Sequence, residues 1–268
     1  MLAKMIITDL DGTLLKDDKT VSDYTVSVFK RCRDNGIKIV FATARPVRTV
    51  KNMNIGIESD AAIYHNGAVV TVNGEVFLRN AIESEIARDL LSKAVKKFDG
   101  MRISAEINDV LYANFDTEAI WAFEQAVITD FKDFNGLPDL PAEKIIFDTV
   151  DGGLIREIEK LLPDGLYTEI SENKLLMVMN KAANKFNAAV KVAGYFNISA
   201  ADITAFGDDY NDIEMLKGCG TGVAMSNAID GAKAAADFIC GSNENDGVAR
   251  WIEERILHER IHNNRRNT

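Results

Sequence analysis

Proline and cysteine are both scarce, with four prolines and three cysteines among 268 residues. So little proline, beside 18 glycines, excludes a collagen-like chain or a proline-rich linker. Cys32, Cys219 and Cys240 are odd in number, far apart and never in a CxxC pair, so neither a disulfide framework nor a thiolate zinc site is suggested. They read as small core residues in a reducing compartment. Basic residues are in deficit: 31 Lys plus Arg stand against 41 Asp plus Glu, a formal net charge of -10. That balance disfavours binding driven by neutralisation of nucleic-acid phosphates. No apolar run approaches the ~20 residues of a membrane span, and the stretch from Met1 to Ile7 lacks the pattern of a secretion signal. The expectation is a cytoplasmic chain with no nucleic-acid and no membrane partner; nothing here bears on oligomeric state.

What is present is ample material for a core, at 47% hydrophobic against 27% charged residues. The length favours one large domain plus a smaller one. Short β-branched or apolar runs alternate with helical stretches in both end regions. The run ending at Asp9, then Ile37 to Thr43 and Ala61 to Tyr64, read as buried strands, with a helix over Asp23 to Asn35 and another begun at Pro46. Alternation of this kind implies parallel pairing. Asn73-Gly74, between two apolar stretches, signals a hairpin.

From Ile82 to Asn180 the pattern changes. Helices are expected over Ser84 to Phe98, Thr117 to Asp130 and Leu154 to Leu162. Strands are expected over Met101 to Ile107, Val110 to Phe115, Lys144 to Val150, Leu166 to Ile170 and Leu175 to Met179. Strand pairs joined by short turns imply an antiparallel sheet with helices on one face. Alternation then resumes, with strands over Ile203 to Gly207, Gly222 to Met225 and Asp237 to Cys240 and helices between and after them. The fold class is therefore α/β: a Rossmann-like parallel core of residues 1–81 and 181–268, interrupted by an α+β insertion of residues 82–180 with its own antiparallel sheet. The polar tail from His258 is expected to fray.

In such a sheet, ligands bind beyond the carboxyl ends of the strands, near the point where strand order reverses. Three polar clusters stand at those ends: Asp9-Leu10-Asp11-Gly12-Thr13, Thr43-Ala44-Arg45, and Gly207-Asp208-Asp209-Tyr210-Asn211-Asp212. Carboxylates gathered at buried strand ends repel one another unless a cation intervenes, and all-oxygen ligands favour a hard one such as Mg2+. Thr43 and Lys185 supply donors for a phosphate oxygen. Metal, phosphate donors and a carboxylate nucleophile together make a phosphoryl-transfer set. At 5 to 7% for each fixed position, DxDGT arises by chance in roughly one chain in a few hundred, and GDxxND is about as rare.

These motifs, DLDGT, FATAR, Lys185 in NKFNAAV and GDDYND, resemble the four motifs of the haloacid dehalogenase-like phosphohydrolase superfamily. YHNGA at Tyr64 to Ala68, GVAMSNA at Gly222 to Ala228 and the insertion are similar to its Cof-type sugar-phosphatase branch, in which the insertion is a cap. The resemblance implies a Mg2+-dependent phosphatase acting on small phosphorylated metabolites. It implies Asp9 as nucleophile, forming an aspartyl-phosphate, and Asp11 as general acid and then base. It also implies that Mg2+ is held by the Asp9 carboxylate, the Asp11 carbonyl and Asp208, with Asp212 behind them. Phosphate contacts are implied for Thr43, Lys185, Asn211 and the amides of Leu10 and Ala44. Two departures are visible: Ala44 stands where glycine is common, and Asp209 where serine is common.

Plainer roles compete at several positions. Asp9 and Asp11 suit a strand-end turn, Thr43 a helix cap, and Asn211 and Asp212 a helix start. Lys181 rivals Lys185 within NKAANK. Arg45 reads as an ion-pair partner, His65 as a loop residue or a substrate contact, His258 and His262 as surface, and Met177 and Met179 as core. A hexose phosphomutase and a catalytically silent phosphosugar sensor are the alternatives, and a receiver-type signalling domain is about half this length.

Overall fold

The structure is a computed structural model, and it describes residues 3–120, 125–171 and 174–258. Along the chain it forms β1 (Met5–Thr8), α1 (Asp23–Asp34), β2 (Lys38–Ala42), α2 (Val47–Lys51), β3 (Ala61–Tyr64), β4 (Val69–Val72) and β5 (Glu75–Arg79). Then follow α3 (Ser84–Lys97), β6 (Ile103–Ile107), β7 (Val110–Ala113), β8 (Val127–Ile128), β9 (Ala142–Phe147), α4 (Gly152–Glu159), β10 (Leu166–Ser171) and β11 (Leu175–Asn180). The last stretch holds α5 (Lys185–Tyr195), β12 (Ile203–Gly207), α6 (Ile213–Gly218), β13 (Thr221–Ala224), α7 (Asp230–Ala235), β14 (Phe238–Ile239) and α8 (Gly247–Ile252). Two compact units result, Met1–Leu78 with Asn184–Thr268, and Arg79–Ala183.

The first unit is built on an eight-stranded sheet of order β14-β13-β12-β1-β2-β3-β4-β5. β1 pairs in parallel with β12 on one side and β2 on the other, and only β4 runs against its neighbour β3 among the registered pairs. Chain order therefore reverses at β1, and the loops leaving β1 and β12 lie at that switch point. Every residue of β1 is buried, as a strand covered on both faces requires. Ile6 packs into a cluster with Val28 and Phe29 of α1 and Val248 and Ile252 of α8. Met5 and Ile7 face the opposite way, into a cluster with Ala188, Ala189 and Val192 of α5.

The second unit holds a six-stranded sheet of order β10-β11-β9-β6-β7-β8, antiparallel except where β8 joins β7 in parallel. Ala87, Leu90, Leu91 and Ala94 of α3 and Ile158 of α4 pack on Ile103, Ala105, Ile145, Phe147 and Val178. These strand positions alternate along the chain, which places both helices on one face.

One expected helix is wrong. Residues 117–130 were expected to form it, but Thr117–Ala119 is a single 3-10 turn capped by Asp116, and Val127–Ile128 is a strand registered on Tyr112 and Ala113. The β-branched pair gains cross-strand hydrogen bonds that outweigh the helical spacing, while residues 121–124 of that expectation lie outside the described residues. The strand expected from Lys144 begins at Ala142 and stops at Phe147. Met177 and Met179 are buried, and His258 is exposed. His262 and most of the polar tail lie outside the described residues. Among the described residues no helix is long and apolar enough to cross a membrane.

Candidate active site

The site starts where β1 runs out. The Asp9 amide donates to the Phe206 carbonyl of β12 at 3.0 Å, which carries the parallel ladder one residue past the strand and fixes the Asp9 backbone beside β12. Gly12 then turns the chain with φ 76, and a Cβ there would lie 2.4 Å from Asp208 Oδ2. Only glycine meets both demands. Thr13 follows, buried, and its hydroxyl donates to Asp208 Oδ1 at 2.6 Å.

Lys185 opens α5, whose N-cap Asn184 accepts from the Asn187 amide. Its ammonium is wholly buried and donates to Asp9 Oδ1 and Asp212 Oδ1, each at 2.7 Å. The other Asp212 oxygen accepts from the amides of Asp208 at 2.9 Å and Asp209 at 3.1 Å. Asp212 thus binds the start of the β12 loop to Lys185. Carboxylate oxygens of Asp9, Asp208 and Asp212 can all lie within 4.8 Å of one another. Lys181, the rival lysine, is exposed at the end of β11 in the other unit.

Burial sets the electrostatics of this group. It pushes the Asp9 carboxyl well above its ordinary range, with Asp212 and Asp208 adding to the rise and Lys185 opposing it. Burial likewise takes Asp208 up to about 7, helped by Asp212 and Asp209 against the Thr13 hydroxyl and Lys185. For Lys185 burial alone favours the neutral amine, but Asp212 and Asp9 outweigh it and the group is held charged. One buried ammonium therefore serves two carboxylates, and among the described residues no ammonium is paired with Asp208. An oxygen set with surplus negative charge fits a divalent hard cation.

Asp11 is in a different setting. Arg45 grips it through Nε to Oδ2 at 2.5 Å and Nη2 to Oδ1 at 2.7 Å, and Lys19 Nζ meets Oδ1 at 2.7 Å. Partial burial raises its pKa, but the two cations win and hold the carboxyl below its ordinary value. Thr43 is buried at the end of β2, and its hydroxyl accepts from the Arg45 amide at 3.1 Å. Ala44 is half-buried between them, and Leu10 is wholly buried. Asn211 donates to Asn66 Oδ1 at 3.0 Å.

Motif spacing does not reach several of these partners. Thr13 stands inside DLDGT and Asn66 inside YHNGA, where spacing assigns neither a role, and Lys19 lies outside every motif. The signal at Asn66 is backbone: His65 and Asn66 have φ of 47 and 56, and a Cβ on Gly67 would stand 2.7 Å from the Asn184 carbonyl oxygen. The loop is bent so that it reaches the start of α5.

Fold and sequence together define an α/β core with an inserted second unit. Residues 6–252 match the family described as haloacid dehalogenase-like hydrolase. The 5-amino-6-(5-phospho-D-ribitylamino)uracil phosphatase YitU of Bacillus subtilis is 30% identical over 266 residues, covering 93% of this chain and 96% of its own. The HMP-PP phosphatase of an Enterobacter species is 27% identical over 266 residues, covering 94% and 95%. A solved structure from Bacteroides thetaiotaomicron, of a phosphatase of the haloalkanoate (HAD) enzyme superfamily, superposes with a TM-score of 0.83 at 26% identity, covering 94% of this chain and 95% of that one. The chain belongs to the haloacid dehalogenase-like hydrolase family and is an enzyme.

Proposed function

We propose that the enzyme hydrolyses small phosphate monoesters, sugar phosphates above all, through an aspartyl-phosphate on Asp9. The observation that carries this reading is the buried Lys185 between Asp9 and Asp212, beside Asp208, at the switch point of the sheet. In the first half-reaction an Asp9 oxygen attacks phosphorus, the ester P–O bond breaks, and the departing oxygen takes a proton from Asp11, which must first acquire it against the pull of Arg45 and Lys19. In the second, Asp11 takes a proton from water as that water attacks phosphorus, and the bond to Asp9 breaks to release inorganic phosphate. Asp9, Asp208 and the Asp11 carbonyl are the groups that would hold Mg2+, with Asp212 behind them. When bound, the ion offsets negative charge on the carboxylates and the phosphate. Lys185, Thr43, Asn211 and the amides of Leu10 and Ala44 are the proposed phosphate contacts.

The residue 82–180 insertion is the proposed specificity cap. Its sheet and helices make a unit of their own, far more than a connection needs. Substrate size and polarity would be read there, which favours small metabolites over folded phosphoproteins.

The test is a panel of phosphate esters assayed with Mg2+ and ranked by kcat/KM. The panel should span hexose and pentose phosphates and the phosphorylated ribitylaminouracil named for the Bacillus relative. Release of inorganic phosphate in water, without a bisphosphate activator, supports hydrolysis over mutase chemistry. No turnover of any ester would overturn the proposal. Replacing residues 83–179 by a Gly-Ser linker should keep activity on a small aryl phosphate and abolish discrimination among sugar phosphates. A truncated enzyme that ranks sugar phosphates as the intact one does would remove the cap from that role.

A further inference from the structure

The Asp11 carboxylate is about a third exposed, at 36% of its side-chain surface, so packing alone does not fix its rotamer. Polar partners do that instead. The guanidinium of Arg45 meets both oxygens through Nε and Nη2, and such a two-point fork sets the plane of a carboxylate as well as its place. Lys19 adds a third contact, on Oδ1, from a separate segment of chain.

Both cations stand on ordered backbone. The Arg45 amide donates to Thr43 Oγ1 at 3.1 Å, and its carbonyl accepts from the His65 amide at 3.1 Å. Pro46 follows at once and is the N-cap of α2. Lys19 lies in a turn closed by Lys16 N to Thr20 O at 3.0 Å and Lys19 N to Lys16 O at 2.9 Å. Its own φ is 66, a left-handed conformation that a lysine seldom adopts. The Lys19 contact is exposed, and an exposed ion pair contributes little to stability, so stability alone does not account for a third contact on the same carboxylate. A proton-transfer group gains from it, because its oxygen must lie within hydrogen-bond reach of the oxygen it serves.

We infer that Arg45, assisted by Lys19, is a positioning residue for Asp11, fixing the carboxylate that exchanges the proton with the leaving oxygen and then with water. This rests on the proposed role of Asp11. It makes the FATAR arginine part of the proton-transfer apparatus, acting through Asp11 with no contact to phosphate of its own.

The experiment uses the full-length enzyme with Mg2+ and compares an alkyl ester, a hexose phosphate that the enzyme turns over, with an activated aryl phosphate. Arg45→Met should lower kcat on the alkyl ester roughly 10- to 100-fold, with KM within about twofold. The loss on the aryl ester should be smaller, as for Asp11→Asn, because a good leaving group needs little proton donation. Arg45→Lys keeps the charge but loses the fork, and should remain down by at least about fivefold. Lys19→Met should lose less than Arg45→Met. On the aryl ester, adding Arg45→Met to Asp11→Asn should change kcat by less than about twofold. Native-like circular dichroism and an unchanged melting temperature exclude misfolding; should Arg45→Met unfold, Arg45→Lys and Lys19→Met carry the test.

A raised KM with unchanged kcat would make Arg45 a direct substrate contact and overturn the inference. So would wild-type kcat in Arg45→Lys, equal losses on the two esters, or fully multiplicative losses with Asp11→Asn. Wild-type turnover by Asp11→Asn on the alkyl ester would instead overturn the role of Asp11 itself, and the inference with it.

Discussion

Lys185 and Asp9 form a buried ion pair at 2.7 Å, between residues 176 apart in the sequence, and the same ammonium contacts Asp212 at 2.7 Å. The lysine side chain has no exposed surface, so its charge depends on the carboxylates packed against it. Lys185→Met should leave two carboxylates buried without their cation. The expected cost is about 3–5 kcal/mol, read as a lower denaturation midpoint, together with loss of turnover. Lys185→Met with wild-type stability would show that the carboxylates do not depend on it.

The two carboxylates should respond differently to amide replacement. Asp9→Asn relieves repulsion with Asp208 and Asp212 while Lys185 keeps its pairing with Asp212. It should abolish turnover while the metal-free protein melts at the same temperature or higher. Asp212 accepts from Lys185 and from two backbone amides, and an asparagine NH2 must confront one of those donors. Asp212→Asn should cost about 1–3 kcal/mol. Calorimetry of both variants decides between these outcomes, and a destabilised Asp9→Asn beside a neutral Asp212→Asn would reverse the assignment.

A pH dependence follows from Asp208. Its carboxyl lies at about 7 in the folded chain against an ordinary 3.8. Across that window the unfolded chain gives up a proton that the folded chain keeps, so folding loses stability as pH rises and levels off above about 7. The raised Asp9 acts in the same direction, and the lowered Asp11 acts only below 3.8. In chelator, the melting temperature should therefore fall between about pH 4 and 7. Excess Mg2+ should flatten that slope, because cation binding favours the ionised carboxylates. Equal slopes with and without Mg2+ would place the ion elsewhere.

The sequence made these carboxylates visible for a local reason. Buried parallel strands read as unbroken apolar runs, so the ends of β1, β2 and β12 stand out at Asp9, Thr43 and Gly207. The choice of Lys185 over Lys181 also has a local correlate in the Asn184 cap. What meets across the chain was hidden. Arg45 reaches Asp11 over 34 residues and Asn211 reaches Asn66 over 145, and neither pairing has a spacing signature. Residues 117–130 failed for the opposite reason: a genuine cap at Asp116 was extended into a helix, while Val127–Ile128 found a partner in β7.

Thr13 offers the most selective test of the proposed metal site. Its hydroxyl touches Asp208 Oδ1 at 2.6 Å and helps hold that carboxyl down against the burial that raises it. Thr13→Val preserves the side-chain shape and removes only the donor. Asp208 then loses an orienting contact and keeps its proton to higher pH, and both effects oppose capture of a cation. The Mg2+ concentration giving half-maximal activity should rise roughly 10- to 100-fold, whereas kcat at saturating Mg2+ should change far less. Thr13→Ser, which retains the hydroxyl, should stay close to the wild type. Raising the pH should recover part of the Thr13→Val deficit, since it ionises Asp208 without restoring its orientation. A Mg2+ requirement that does not move in Thr13→Val would mean that Asp208 is not a metal ligand, whatever becomes of the rest of the cluster.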